Sequence, residues 1–182
     1  MAGPARLDVS GQDEKTYYIA GGERVALDSD PNHVAVDLAR ATETSLSKAR
    51  QAELRREGQT LRRQVVLLAG SALDETDRMK LDRVGALLPV YRSHDTTIVV
   101  LPEVRVECRD SKQVPKLRRR LEAAGVDPKS VRVRGGRVSF VPGSGRSDEA
   151  LSLANVLYEE FEPEAAQARF LRVVPRPDES AQ

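Results

Sequence analysis

Thr97-Ile98-Val99-Val100-Leu101-Pro102-Glu103-Val104-Arg105-Val106-Glu107-Cys108 opens a run, continuing to Val174, that carries a complete supersecondary rhythm. Alternation after Pro102 sets Val104, Val106 and Cys108 on one strand face, the face expected in the core. From Ser111 to Ala124 the apolar Val114, Leu117, Leu121 and Ala124 recur at helical spacing, with Ser111 as the expected N-cap and Gly125 as the stop. Val131 to Arg134 and Arg137 to Val141 then alternate on either side of Gly135-Gly136, which predicts a tight hairpin. Ser147 and Asp148 start a second helix lined by Ala150, Leu153, Ala154, Leu157, Tyr158 and Phe161. A last strand, Ala168 to Val174, ends where Pro175 and Pro177 forbid further pairing. Strand, helix, strand, strand, helix, strand is the order of the ferredoxin-like split fold, an antiparallel sheet with two helices on one face and the other face left free.

Upstream, the same rhythm returns in a degraded form. Tyr17 to Leu27 reads as a hairpin about Gly21-Gly22, and His33 to Leu38 as a short strand after Pro31. A helix with a thin apolar stripe is expected from about Ser45 to Leu61. Gln64 to Ala69 is continuously apolar after its first residue, as a strand covered on both faces must be. Asp74 or Thr76 caps a further helix in which Leu81, Val84, Leu87 and Leu88 face inward until Pro89, and Ser93 to Thr96 turns a third hairpin. The predicted fold class is therefore α+β, with tandem ferredoxin-like (βαββαβ) units whose antiparallel sheets carry helices on one face, the first unit degenerate. The expected boundaries are a flexible lead-in over 1–15, a first unit over 16–96, a second over 97–174 and a flexible tail over 175–182.

The chain has 182 residues, enough for two intimately packed halves rather than two large independent cores. Charged residues make up 31% of it, but the formal net charge is +1, so an electrostatic partner would have to read a local patch. Cys108 is the single cysteine, which excludes an intrachain disulfide and reads as a buried thiol. Neither a signal-peptide-like run nor a membrane-spanning window is present in the sequence, and a cytoplasmic location is expected.

Motifs for catalysis, metals and cofactors are missing: no Gly-x-Ser-x-Gly elbow, Walker loop, His-Glu-x-x-His, paired cysteines or dinucleotide fingerprint occurs. No enzymatic activity, catalytic residue, metal or cofactor is expected. Gly143-Ser144-Gly145-Arg146-Ser147 is a weak anion-binding pattern before a helix, and His33 and His94 read as turn residues. Lys112, Lys116, Arg118, Arg119 and Arg120 form a basic patch on the first helix of the second unit. Arg132 and Arg134 alternate with valines on its hairpin, so they are expected on the sheet face away from the helices, where Phe140 and Phe170 are also taken as binding residues. Nucleic-acid binding is the least favoured reading of these charges, because exposed sheet aromatics of the kind that stack bases are scarce and nearby glutamates balance the helix.

Several segments together resemble the prodomain-like region that precedes the catalytic domain of bacterial subtilisin-like serine proteases. They are Tyr17-Tyr18 followed by Gly21-Gly22 and Leu27-Asp28, Pro89-Val90-Tyr91-Arg92 leading into Val104-Arg105-Val106, Ala150 to Glu159, and Gln167 to Arg172. The resemblance implies a ferredoxin-like fold that packs its sheet against a protease, acts as folding chaperone and inhibitor, and presents the segment after its last strand to the active-site cleft. In this chain that segment is Val173, Val174, Pro175 and Arg176, and a catalytic triad of its own is not expected. The expected function is that of a non-enzymatic protein-binding module: a stand-alone regulator, inhibitor or adaptor of a separately encoded protease. An interaction or assembly module of a bacterial defence or signalling complex is the alternative, with a homo-oligomer as one of its forms and no membrane partner.

Overall fold

The computed structural model describes residues 16–42, 45–62 and 64–173. It is an α+β structure with antiparallel sheets and four α-helices among the described residues. A hairpin of β1 (Tyr17–Ala20) and β2 (Glu23–Ala26) comes first, followed by the short β3 (Asp28–Ser29). The next elements are β4 (His33–Asp37), α1 (Lys48–Glu57), β5 (Gln59–Arg62), β6 (Val65–Ala69), α2 (Glu75–Arg83) and β7 (Leu87–Leu88). Their strands form a first sheet in the order β5-β6-β4-β7. After β8 (Val90–Ser93) come β9 (Thr96–Glu107), α3 (Gln113–Ala123), β10 (Arg132–Arg134), β11 (Arg137–Phe140), α4 (Ser147–Phe161) and β12 (Ala165–Val173).

The second sheet runs β10-β11-β9-β8-β3, with β12 paired along the other side of β9. Because β9 is twelve residues long, its two halves have different neighbours on one side: β8 pairs with Thr96 to Val99, and β11 with Val104 to Glu107. Between the halves, Leu101, Pro102 and Glu103 stand opposite the single residue Arg169, a bulge placed where proline has no N–H to donate to the ladder. Taking β10, β11, the second half of β9 and β12 together, each sheet has the same element order and the same spatial strand order.

Burial follows from alternation. Val34, Val36, Val66 and Leu68 face α1 and α2, where Leu54 and Leu81 complete one core. Val104, Val106, Val138, Phe140, Ala166 and Ala168 face α3 and α4, packed against Leu117, Leu121, Ala150 and Leu157. A third cluster lies between the sheets: Ala35, Val65, Leu67 and Leu88 meet Val90 and Val99, with Leu101, Leu171 and Val173 against them. Continuous apolarity in β6 is thereby explained, since Val65 and Leu67 bury against the second sheet while Val66 and Leu68 bury against helices. The layers are helices, sheet, sheet, helices.

Three local expectations are corrected. The helix expected to reach Leu61 stops at Glu57, and Gln59 to Arg62 pair with β6 instead. The helix expected to run to Leu88 ends at Arg83; Val84 is exposed, and Leu87-Leu88 pair with β4. Ser111 is not the cap of α3; the Asp110 carboxylate accepts from the Lys112 N–H in the turn that leads into it. The lead-in over 1–15 and the tail over 175–182 lie outside the described residues. No described helix is long and apolar enough to cross a membrane.

Candidate functional site

The sheet-to-sheet contact covers only one end of the second sheet. At that end Val99, Leu101, Leu171 and Val173 are roofed by the first sheet. At the other end the face opposite α3 and α4 has no covering layer among the described residues. Its side chains follow from register. Arg132 lies opposite Ser139, Ser139 opposite Arg105, and Arg105 opposite Gln167; in the next row Arg134 lies opposite Arg137, Arg137 opposite Glu107, and Glu107 opposite Ala165. Since Val104, Val106 and Val138 point to the helices, these two rows point away from them.

The two rows hold four exposed arginines, Arg105, Arg132, Arg134 and Arg137, and one carboxylate. That carboxylate, Glu107, is taken by Arg137 at 2.7 Å. At the bulge, Arg169 and Glu103 pair at 2.8 Å. The side chains of Arg105, Arg132 and Arg134 therefore have no hydrogen bond or ion pair among the described residues. Ser139 and Gln167 stand between and beside them, half-buried, and the Gln167 amide donates to the Ile19 carbonyl at 2.8 Å, which ties this edge to the β1–β2 hairpin. Strands about 4.8 Å apart and alternate residues about 6.8 Å apart fix the arginine Cα positions as a rigid grid.

The structure separates the residues that the sequence grouped. Arg132 and Arg134 are on the open face as expected. Phe140 is not: it is 1% exposed and belongs to the core under the helices. Phe170 also packs toward that core, edge-on to the Tyr18 ring with centroids 4.9 Å apart. The basic patch lies on α3, on the opposite side of the second sheet from the open face. Lys112, Lys116, Arg118 and Arg119 are exposed there, and Arg120 is paired with Glu160 at 2.9 Å. Val173 is paired with Thr97 and packed between the sheets, so it is part of the fold rather than of a loose segment. Val174, Pro175 and Arg176 lie outside the described residues.

The glycine loop before α4 is satisfied by the chain itself. The Ser144 N–H donates to the Glu149 carboxylate at 3.0 Å, the Ser144 hydroxyl donates to the same oxygen, and Arg146 reaches Asp82 at 3.0 Å and Asp148 at 3.3 Å. These internal carboxylates stand where an external anion would have to bind. His94 takes a left-handed turn with φ 54° between β8 and β9. His33 donates or accepts at 2.9 Å with the buried Asp30, and burial pushes the Cys108 thiol up. No group of three or more His, Cys, Asp and Glu side chains among the described residues is placed to hold a metal ion.

Two features were missed from sequence. Arg105 joins Arg132 only through strand order, because the chain between them contains α3. A cleft of about 320 Å³ at the seam of the two halves, lined by Asp30, His33, Asp82, Tyr91, Arg146 and Ser147, brings together residues more than a hundred positions apart. Compared with known proteins, the chain matches no family model, no curated protein and no solved structure.

Proposed function

We propose that the chain is a non-enzymatic protein-binding module, two ferredoxin-like units in tandem, that docks a separately encoded protein through the uncovered end of its second sheet. The first candidate partner is a subtilisin-like protease. The observation that carries this reading is the half-covered sheet: one end of a continuous, rigid face is buried by the first unit and the other presents side chains to solvent. Strand orders β5-β6-β4-β7 and β10-β11-β9-β12 support the tandem assignment, since in both units the first strand lies between the third and the fourth, as in the split βαβ arrangement. A preformed sheet face suits a partner that does not require the module to refold on binding.

The test is affinity capture from the native host with the purified chain, followed by an inhibition assay on any protease retained. The expected result is a retained subtilisin-like protease whose peptide hydrolysis the full chain inhibits and a chain truncated after Val173 does not. Truncation must begin at 174, because Val173 packs between the sheets. Retention of non-proteolytic proteins would favour the assembly module, and retention of nothing at all would overturn the protein-binding reading.

A further inference from the structure

Deepening that reading, and resting on it for the use of this face, we infer that the open face of the second sheet recognises an extended acidic peptide segment of its partner, with carboxylates at alternate positions. Arg105, Arg132 and Arg134 are exposed on one face, and no carboxylate among the described residues pairs with any of them. Elsewhere the same chain pairs its arginines readily: Arg24 with Glu159, Arg120 with Glu160, Arg137 with Glu107, Arg146 with Asp82 and Arg169 with Glu103. These three are unpaired and share one face within two rows of one sheet.

Spacing specifies the partner further. Arg132 and Arg134 are alternate residues of one strand, so their side chains leave the sheet about 6.8 Å apart, the same repeat as alternate side chains of an extended peptide. Arg105 adds a cation two strands away, about 9.6 Å across the sheet, on the row of Arg132. Guanidinium groups hold carboxylates through paired N–H bonds, and Ser139, in the same row between Arg132 and Arg105, supplies a hydroxyl. Nucleic acid is less well matched. Stacking of bases needs exposed rings, and this face has none among the described residues, Phe140 being turned to the opposite side.

The experiment measures fluorescence anisotropy of a labelled alternating Glu-Thr peptide of about ten residues, its Gln-Thr counterpart, and a thymidine oligonucleotide of similar length. Expected is salt-sensitive binding of the Glu-Thr peptide alone, weakened about tenfold or more by Arg132→Glu with Arg134→Glu, and likewise by Arg105→Glu. Arg118→Glu with Arg119→Glu makes the same charge change on α3, on the other side of the sheet, and should leave binding within about twofold. Arg105→Gln and Arg132→Gln are made alongside, and thermal melts confirm that each variant is folded. Equal loss from the α3 variant would overturn the inference in favour of unspecific attraction. Tighter binding of the oligonucleotide would overturn it in favour of nucleic acid. No binding of the acidic peptide, or binding indifferent to all three open-face arginines, would also overturn it. The wider protein-binding reading is judged separately: it survives if a captured partner is retained equally by the open-face variants, and it falls if no partner is retained.

Discussion

Asp30 keeps a charge where burial would remove it. Burial by itself pushes its carboxyl up, but the Asn32 N–H, the His33 ring and the Arg92 guanidinium together outweigh burial and hold it below the ordinary carboxylate value of 3.8. A group whose folded pKa is depressed contributes stability that is present above its unfolded value and is lost as pH falls through the folded one. Asp30→Asn should therefore cost about 1.5–3 kcal/mol at neutral pH, the range for hydrogen bonds to a charged group. The gap between wild type and variant should shrink as pH falls below about pH 4. Urea denaturation of both proteins from pH 7 downward checks this; a gap that does not narrow would mean that the ionised carboxylate is not what stabilises the β3–β4 turn.

Element boundaries turned on contacts that sequence alone does not display. The hairpins at 17–26, 90–99 and 132–140 were legible because Gly-Gly or a polar turn interrupts alternating residues in each. The junction of α1 and β5 was not, since Leu61 fits the helical stripe as well as a strand. What decides it is Gly58, which lies so close to β6 that a Cβ would sit 2.4 Å from Val66 Cγ1, 2.6 Å from Leu68 Cδ2 and 2.7 Å from the Leu67 carbonyl. Similarly, Gly85 at φ 68° turns the chain out of α2 and converts Leu87-Leu88 from apparent helix residues into a strand. Phe140 was misplaced although the hairpin register could have placed it: it shares a face with Val138, and Val138 stands opposite Val133 rather than opposite an arginine. At Gly58 no bond of the backbone to solvent is at stake, only space. Gly58→Ala should destabilise the protein by about 1–3 kcal/mol through overpacking, read as a lowered urea midpoint. An unchanged midpoint would show that β6 can move away from α1 at no cost.

At the scale of the molecule, the two halves share one structural member. β9 is the first strand of the second unit, yet its opening residues pair with β8 and its Val99 and Leu101 pack against the first sheet. Separate expression of residues 16–96 and 97–173 should give two chains without a cooperative thermal transition, because the cut strips β8 of its partner and exposes Val99, Leu101, Leu171 and Val173. Circular dichroism melts would decide, and a sharp transition in the second fragment would mean that the contact between the sheets is dispensable. The repeated rhythm of elements was visible in the sequence. Which faces met was not, because face-to-face packing depends on side chains from both halves and leaves no local period of its own.

The β1–β2 hairpin is made by a ribosome before its anchors, which lie more than a hundred residues further along the chain. Its Tyr17 carbonyl accepts from Asn155, its Ile19 carbonyl accepts from Gln167, its Arg24 pairs with Glu159, and its Tyr18 ring meets Phe170. Every one of these partners belongs to α4 or β12. During vectorial synthesis the hairpin gains these anchors only after the chain has emerged through Phe170, so elements made later lock the first described ones in place, and the native state closes as a loop in time as well as in space.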